Sequence, residues 1–325
     1  MRILISDYRN VMVSDYRLTT SAIASILPDA QVQVLSYADD ASYYAALAKA
    51  DGLITVFLPL DAAFFSRAKR LRCVSVNAVG YDSVDLQAAK KHGVIICHIK
   101  EYCTDEVAEH TMALLLALNR NLKYYTGQID REFRWQYRSI PGGRPIGKQT
   151  LAVFGFGRIG RKVAALAHGF GMKVLAVSSN VTAEEAARCN VHASTAQEAF
   201  AEADVISNHM NLTADNVHFF DSAAFAQMKR RPLFLNVGRG GCVDEAALVE
   251  ALDSGKIRGA GLDVLAEEKP RLAGHPLLGR DNVIITPHSA FYSQDSLEKL
   301  QTISGRNLAY CLSEQPEKAQ KVVVN

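Results

Sequence analysis

Short runs of β-branched and aliphatic residues recur at residues 3–6, 32–36, 52–57, 73–77 and 94–97, separated by alanine-rich stretches such as 41–49 and 84–91. Apolar runs without strict alternation are the pattern of strands buried on both faces. Their regular exchange with helices predicts parallel, doubly wound α/β sheets. Residues 104–125 read as one long helix, with Thr104 as N-cap and Asp105 and Glu106 in the first turn, where negative charge suits the dipole. Its middle is apolar nearly all round, which suits a helix joining two domains or lying in a dimer interface. Residues 131–148 are polar and rich in Gly and Pro, and read as a long loop. A second α/β series runs from Leu151 to about Pro287, residues 293–312 are again helical, and the last residues read as a polar tail.

At 325 residues the chain has room for about two domains, and 49% hydrophobic residues supply a substantial core. The net charge of +2 lacks the basic excess of a nucleic-acid binder. The longest apolar run, residues 112–118, is far shorter than the roughly 20 residues that span a bilayer. The chain opens directly on a strand, without the segments of a secretory leader, so a soluble cytoplasmic protein is expected. Six cysteines (Cys73, Cys97, Cys103, Cys189, Cys242, Cys311) are scattered, with no C-x-x-C pair and no zinc-ligand spacing. Reduced, mostly buried thiols and no metal centre are the expectation.

Gly155-Phe156-Gly157-Arg158-Ile159-Gly160 matches G-x-G-x-x-G. The match gains weight from its setting: a buried strand at 151–154, a helix at 161–170 and a further strand at 172–177 make the βαβ unit that the dinucleotide fingerprint requires. Gly155 permits the tight turn, Gly157 lets backbone approach a pyrophosphate, and Gly160 lets helix and strand pack closely. The helix N-terminus then offers N–H groups and a positive dipole end to the phosphates. A carboxylate normally ends the second strand and takes the ribose hydroxyls; that position here is Ser178. Loss of the acid removes repulsion against a 2′-phosphate, but the nearest following cation is Arg188. NAD, NADP or either therefore remains open.

Three downstream strands each end in a polar residue: 234–238 before Arg239, 259–264 before Glu267 and Glu268, and 283–287 before His288. Residues past the carboxyl ends of parallel strands line the ligand crevice. Together these side chains suit hydride transfer to a keto acid. Arginine pairs with the substrate carboxylate and polarises its carbonyl. Histidine gives a proton to the developing alkoxide, and a neighbouring glutamate favours the imidazolium. Singly, each has an ordinary reading as a surface charge or a turn residue; the case rests on their joint occurrence after the glycine fingerprint.

With these pieces assembled, the chain resembles the D-2-hydroxyacid dehydrogenases over nearly its whole length. The likeness is carried by Gly80-Tyr-Asp-Ser-Val-Asp85, Val107-Ala-Glu-His110, Gly155 to Gly160, Asn236-Val-Gly-Arg-Gly240, Gly261-Leu-Asp-Val264 and Thr286-Pro-His288. It implies an Arg239–Glu268–His288 triad, Glu268 rather than Glu267 because it falls five positions after Asp263. It implies that N–H groups at Val79 and Gly80 hold the substrate carboxylate. Thr104, Arg158, Ile159, Met210, Asn211, Asn216, Val237, Gly238 and Asp263 would line the cofactor with the glycine loop and Ser178. The implied fold is a Rossmann cofactor domain, residues 101–290, inserted in a flavodoxin-like substrate domain, residues 1–100 and 291–325.

Segments 101–106, 216–219 and 286–292 look like the D-lactate dehydrogenase branch, in which Tyr102 and Phe291 would border the substrate. Other keto acids of the same class, glyoxylate, hydroxypyruvate or phosphoglycerate among them, are the alternatives. So is a corepressor-like protein that senses NAD. No long segment follows the last helix, which argues against the regulatory domain of many phosphoglycerate dehydrogenases. A homodimer is expected, with no membrane or nucleic-acid partner.

Overall fold

Mostly buried aliphatic stretches form the strands of two parallel sheets. The computed structural model describes residues 1–322. It comprises two units, Met1–Tyr102 with the C-terminal segment from Ser293, and Cys103–Tyr292.

The first unit holds β1 (Arg2–Tyr8), β2 (Gln31–Tyr37), β3 (Gly52–Thr55), β4 (Cys73–Val76) and β5 (Ile95–Cys97), in the order β2-β1-β3-β4-β5. β3 and β4 are buried along their length, whereas the edge strand β2 leaves Gln31 and Gln33 exposed, as its polar residues require. One face packs Tyr43, Leu47, Phe64 and Phe65. The other packs Ile3, Ile5, Ile54, Leu308 and Leu312 beneath the helix Gln294–Leu312. Gly305 lets this helix close on the helix Arg17–Ala24: a Cβ there would sit 2.7 Å from the Thr19 carbonyl oxygen.

The second unit holds β6 (Thr150–Phe154), β7 (Lys173–Val177), β8 (His192–Ala193), β9 (Val205–Asn208), β10 (Leu233–Asn236), β11 (Gly259–Leu262) and β12 (Val283–Ile285), in the order β12-β11-β10-β9-β6-β7-β8. The order reverses between β6 and β9, the switch point where open α/β sheets bind ligands. On one face Phe154, Phe200, Phe220 and Phe234 make an aromatic core.

Several local expectations change. Residues 104–125 form two helices, Thr104–Asn119 and Leu122–Glu132, broken where Asn121 takes φ 52°. Asparagine tolerates that left-handed conformation and most residues do not. Thr104 is the first helical residue, not the N-cap; Cys103 holds the cap position without a side-chain bond. The apolar residues Val107, Met112, Leu114, Leu115 and Leu118 are buried. The loop from 131 is shortened by the helix end at Glu132 and a 3-10 turn at Ile146–Lys148. The tail is not free: Lys321 bridges antiparallel to Cys97, and Val322 N donates to Ile96 O at 2.8 Å. Residues 323–325 of that tail lie outside the described residues. Among the described residues no helix is long and apolar enough to cross a membrane.

Candidate active site

The glycine loop follows β6 at the switch point and leads into the helix Arg158–Gly169. Gly155 has φ +86°, and a Cβ there would lie 2.7 Å from the His209 carbonyl carbon and the Met210 nitrogen. A Cβ on Gly160 would lie 2.3 Å from the Gly155 carbonyl oxygen. At Gly157 a Cβ would meet nothing within 4 Å. Two glycines thus serve packing while the middle one faces open space at a helix N-terminus, the arrangement that admits a pyrophosphate. The residues present therefore fit a dinucleotide.

The other cofactor candidates lie on the same sheet edge. Ser178 follows β7 directly, and its Oγ accepts weakly from Asn180 N at 3.4 Å. Arg188 stands 3.8 Å from Glu185, which Arg161 also meets at 2.6 Å. Met210, Asn211 and Asn216 follow β9. The Asn216 amide organises its own loop, donating to Asn211 O at 2.7 Å and accepting from Thr213 N at 2.8 Å. Val237 and Gly238 follow β10, and Thr104 opens the helix Thr104–Asn119.

Arg239, Glu268 and His288 follow the adjacent strands β10, β11 and β12. The structure brings Glu268 and His288 into direct contact, His288 Nδ1 to Glu268 Oε2 at 2.8 Å. Both side chains keep partial solvent access. His288 has φ 50°, a left-handed backbone that aims its ring by constraint from its surroundings. That constraint comes from Asp263. The Asp263 carbonyl accepts from His288 N at 2.8 Å. Its buried carboxylate accepts from Thr286 Oγ1 at 2.6 Å, and from Ser289 N and Ala290 N at 2.9 Å each. His110 Nε2 in turn meets Thr286 Oγ1 at 2.9 Å. Asp263 therefore accepts four hydrogen bonds from the loop that carries His288, one at its carbonyl and three at its carboxylate. Phe291 stands edge-on to His288, ring centroids 6.4 Å apart. Arg239 is half-buried, and its Nη1 donates to Gly238 O at 3.0 Å.

Val79, Gly80 and Tyr102 belong to the first unit. There His98 Nδ1 lies 2.9 Å from the Val79 carbonyl oxygen, and Ile99 N donates to Ala78 O at 2.9 Å, fixing the loop after β4. Tyr102 is buried.

Sequence reasoning missed the supporting groups. Asn236 opens one of the motifs that carry the resemblance but was given no role, and Asn208, His209 and Glu245 were not singled out. Glu245 Oε1 accepts from Ala266 N at 2.7 Å and so anchors the segment that presents Glu268. The signal for Asn208 and Asn236 was their position as the last residue of a fully buried strand, where a polar side chain needs an internal partner.

Residues 112–290 match the family model described as D-isomer specific 2-hydroxyacid dehydrogenase, NAD binding domain. The chain is 34% identical to a glyoxylate reductase of Korarchaeum cryptofilum over 79% of its own length and 78% of the relative's. It is 38% identical to D-3-phosphoglycerate dehydrogenase 2, chloroplastic, of Arabidopsis thaliana over 72% of its own length, but spans only 37% of that protein. It spans about half of the mycobacterial phosphoglycerate dehydrogenases it matches. Among solved structures, the D-lactate dehydrogenase of Aquifex aeolicus, complexed with NAD and lactic acid, superposes with a TM-score of 0.86 at 29% identity, covering 99% of each chain.

Proposed function

The chain belongs to the D-isomer specific 2-hydroxyacid dehydrogenase family, and from that premise we propose that it interconverts a small 2-keto acid and its D-2-hydroxy acid. Its cofactor is a nicotinamide dinucleotide. The observation that carries the reading is the 2.8 Å His288–Glu268 contact on the sheet edge that also bears the glycine cradle.

The bound nicotinamide supplies or accepts hydride. The protein's part is to hold the acid and move one proton. Arg239 pairs its planar guanidinium with the carboxylate and draws charge toward the carbonyl oxygen. Because Glu268 takes His288 Nδ1, the free Nε2 is the atom that gives a proton to the developing alkoxide, or removes it in oxidation. Glu268 orients the ring through Nδ1 without itself meeting the substrate. The family resemblance assigns the N–H groups of Val79 and Gly80 to the substrate carboxylate and Tyr102 and Phe291 to its side chain. Asp263 positions the His288 loop and is assigned to the nicotinamide amide. We place the substrate nearest to pyruvate, on the Tyr102 and Phe291 positions and the likeness to D-lactate dehydrogenases.

The protein is proposed to act as a cytoplasmic homodimer. Support comes from the segment after Glu132, where Phe133 and Trp135 are 90% exposed and Tyr137 is 72% exposed. Three large aromatic residues held in water within five positions are costly unless covered.

The test is oxidation of NADH and NADPH by purified protein with pyruvate, phenylpyruvate, branched 2-keto acids, glyoxylate, hydroxypyruvate and 3-phosphohydroxypyruvate. Fastest turnover with pyruvate is expected. No turnover with any of them removes the enzymatic reading, and a preference for the phosphorylated acid replaces the substrate assignment.

A further inference from the structure

The scattered cysteines meet in space. Strand alternation puts Cys73 on the same face of β4 as Ser75, and Ser75 is in register with Cys97 on β5. Ser75 Oγ meets Ser304 of the helix Gln294–Leu312, at 3.1 Å to both its carbonyl oxygen and its Oγ. Cys311 lies seven positions further on that helix, about two turns, and so faces the same strands. The three sulfur atoms all lie within 4.8 Å of one another, with Cys73 Sγ and Cys97 Sγ 3.9 Å apart. All three thiols are free and buried. They lie in a core otherwise made of Ile3, Ile5, Ile23, Ile54, Leu308 and Leu312.

We propose that Cys73, Cys97 and Cys311 form a three-sulfur site for a soft, monovalent d10 metal ion, with Cu(I) as its type. Metal–thiolate bonds are about 2.3 Å long, so an ion in the plane of three sulfurs holds them about 4.0 Å apart. The observed triangle needs little adjustment to reach that spacing. Thiolate donors select soft ions. Zinc in a closed site asks for four ligands. Among the described residues no further His, Cys, Asp or Glu joins the three. A three-coordinate soft ion suits this donor set better.

Lys321, which bridges to Cys97 through its backbone, brings a positive charge to the edge of the site. The segment that carries Lys321 lies across the strand end through His98 N to Gln320 O, Val322 N to Ile96 O, Lys100 N to Gln320 Oε1 and Gln320 N to Asn307 Oδ1. On binding, thiol protons leave to solvent as sulfur–metal bonds form, with no change in oxidation state.

The test is anaerobic titration of the reduced full chain with Cu(I) against a competing chelator. Bound copper per chain and the ultraviolet thiolate-to-copper charge-transfer band are read. One ion per chain is expected, with Zn2+ held more weakly. Cys311→Ala should weaken copper retention at least tenfold with unchanged circular dichroism. Cys189→Ala, outside the cluster, should not alter it. Should the Cys73 or Cys97 variants fold poorly, protection of the wild-type thiols from alkylation by bound Cu(I) gives a second readout. A wild-type chain that retains no copper overturns the proposal. So does equal retention by Cys311→Ala, which marks adventitious binding, or a preference for zinc.

Discussion

The side-chain amide of Asn208 donates from Nδ2 to Asn236 Oδ1 at 3.0 Å, in full burial, and ties the loop after β9 to the loop after β10. Asn208 Oδ1 accepts from Met210 N at 3.1 Å. Asn236 accepts from Gly238 N at 3.2 Å and donates to Arg239 O at 3.0 Å. One amide pair thus sets the backbone of the cofactor loop and of the arginine assigned to substrate. Replacing Asn236 with Leu strands several buried partners. The expected cost is about 1–3 kcal/mol of stability for each group left unsatisfied. Denaturant unfolding and kcat/KM should fall together; a variant with wild-type values of both would show that the pair is incidental.

Arg239→Lys keeps the charge but loses the paired N–H donors of the guanidinium. A drop in kcat/KM of roughly a hundredfold, or ~3 kcal/mol, is expected, with cofactor affinity little changed. Steady-state kinetics and cofactor titration separate the two. Near wild-type turnover would remove Arg239 from its assigned role.

Glu268→Gln removes the carboxylate that meets His288 Nδ1. The ring then loses the charged partner that orients it, and kcat/KM for keto-acid reduction should fall roughly tenfold or more with cofactor affinity unchanged. Steady-state kinetics with cofactor titration checks this, and a wild-type kcat/KM would contradict the pairing.

His209 links pH to stability. Its Nε2 lies 2.8 Å from Ser207 Oγ, and its Nδ1 is sealed from water with no hydrogen-bond partner. Burial pushes its pKa down from 6.5 to about 3. As pH falls through about 6.5 the unfolded chain takes up a proton that the folded chain refuses. This contribution is therefore full at neutral pH and is lost as pH falls, by at most about 1.4 kcal/mol per pH unit. The unfolding midpoint of His209→Gln should vary less between pH 6.5 and 4.5 than that of wild type. Parallel curves would show that other groups govern the acid limb.

Ser178 is the position proposed to govern cofactor choice. A serine there hydrogen-bonds a ribose hydroxyl or a phosphate oxygen without charge, and Arg188 is engaged with Glu185. Use of NADH and NADPH within about a hundredfold, ~3 kcal/mol, is expected. Ser178→Asp should raise NADH selectivity, chiefly by repelling NADPH. If wild type already discriminates as strongly as the variant, another residue sets the choice.

The two sheets and the glycine cradle were legible in the sequence because each rests on a local pattern, buried runs and fixed glycine spacing, whereas Glu268 was separated from Glu267 only by the family resemblance. The helix break at Asn121 was not legible, since the apolar pattern continues through it and only the backbone angle departs. Nor was the Asn208–Asn236 lock or the thiol triangle. Asn208 and Asn236 are 28 positions apart, and Cys311 lies more than two hundred positions from Cys97. Such contacts are products of strand order, and spacing along the chain carries no trace of them. The motive for a dimer also shifts. The apolar residues of the Thr104–Asn119 helix are buried, whereas the aromatic residues at 133, 135 and 137 are largely exposed.

The first unit is completed by residues made after the second. Ser75 meets Ser304 on the helix Gln294–Leu312, and Leu308 and Leu312 complete the core on that face, yet all of Cys103–Tyr292 is translated in between. At roughly 5–20 residues per second this is a wait of roughly 10–40 s, during which that face of the first sheet is only partly covered on the ribosome. The second unit has no such debt, because every strand of its sheet is continuous in the chain. Its folding should precede closure of the first, and the nascent chain should be most open to aggregation, and to chaperone capture, before Ser293 emerges.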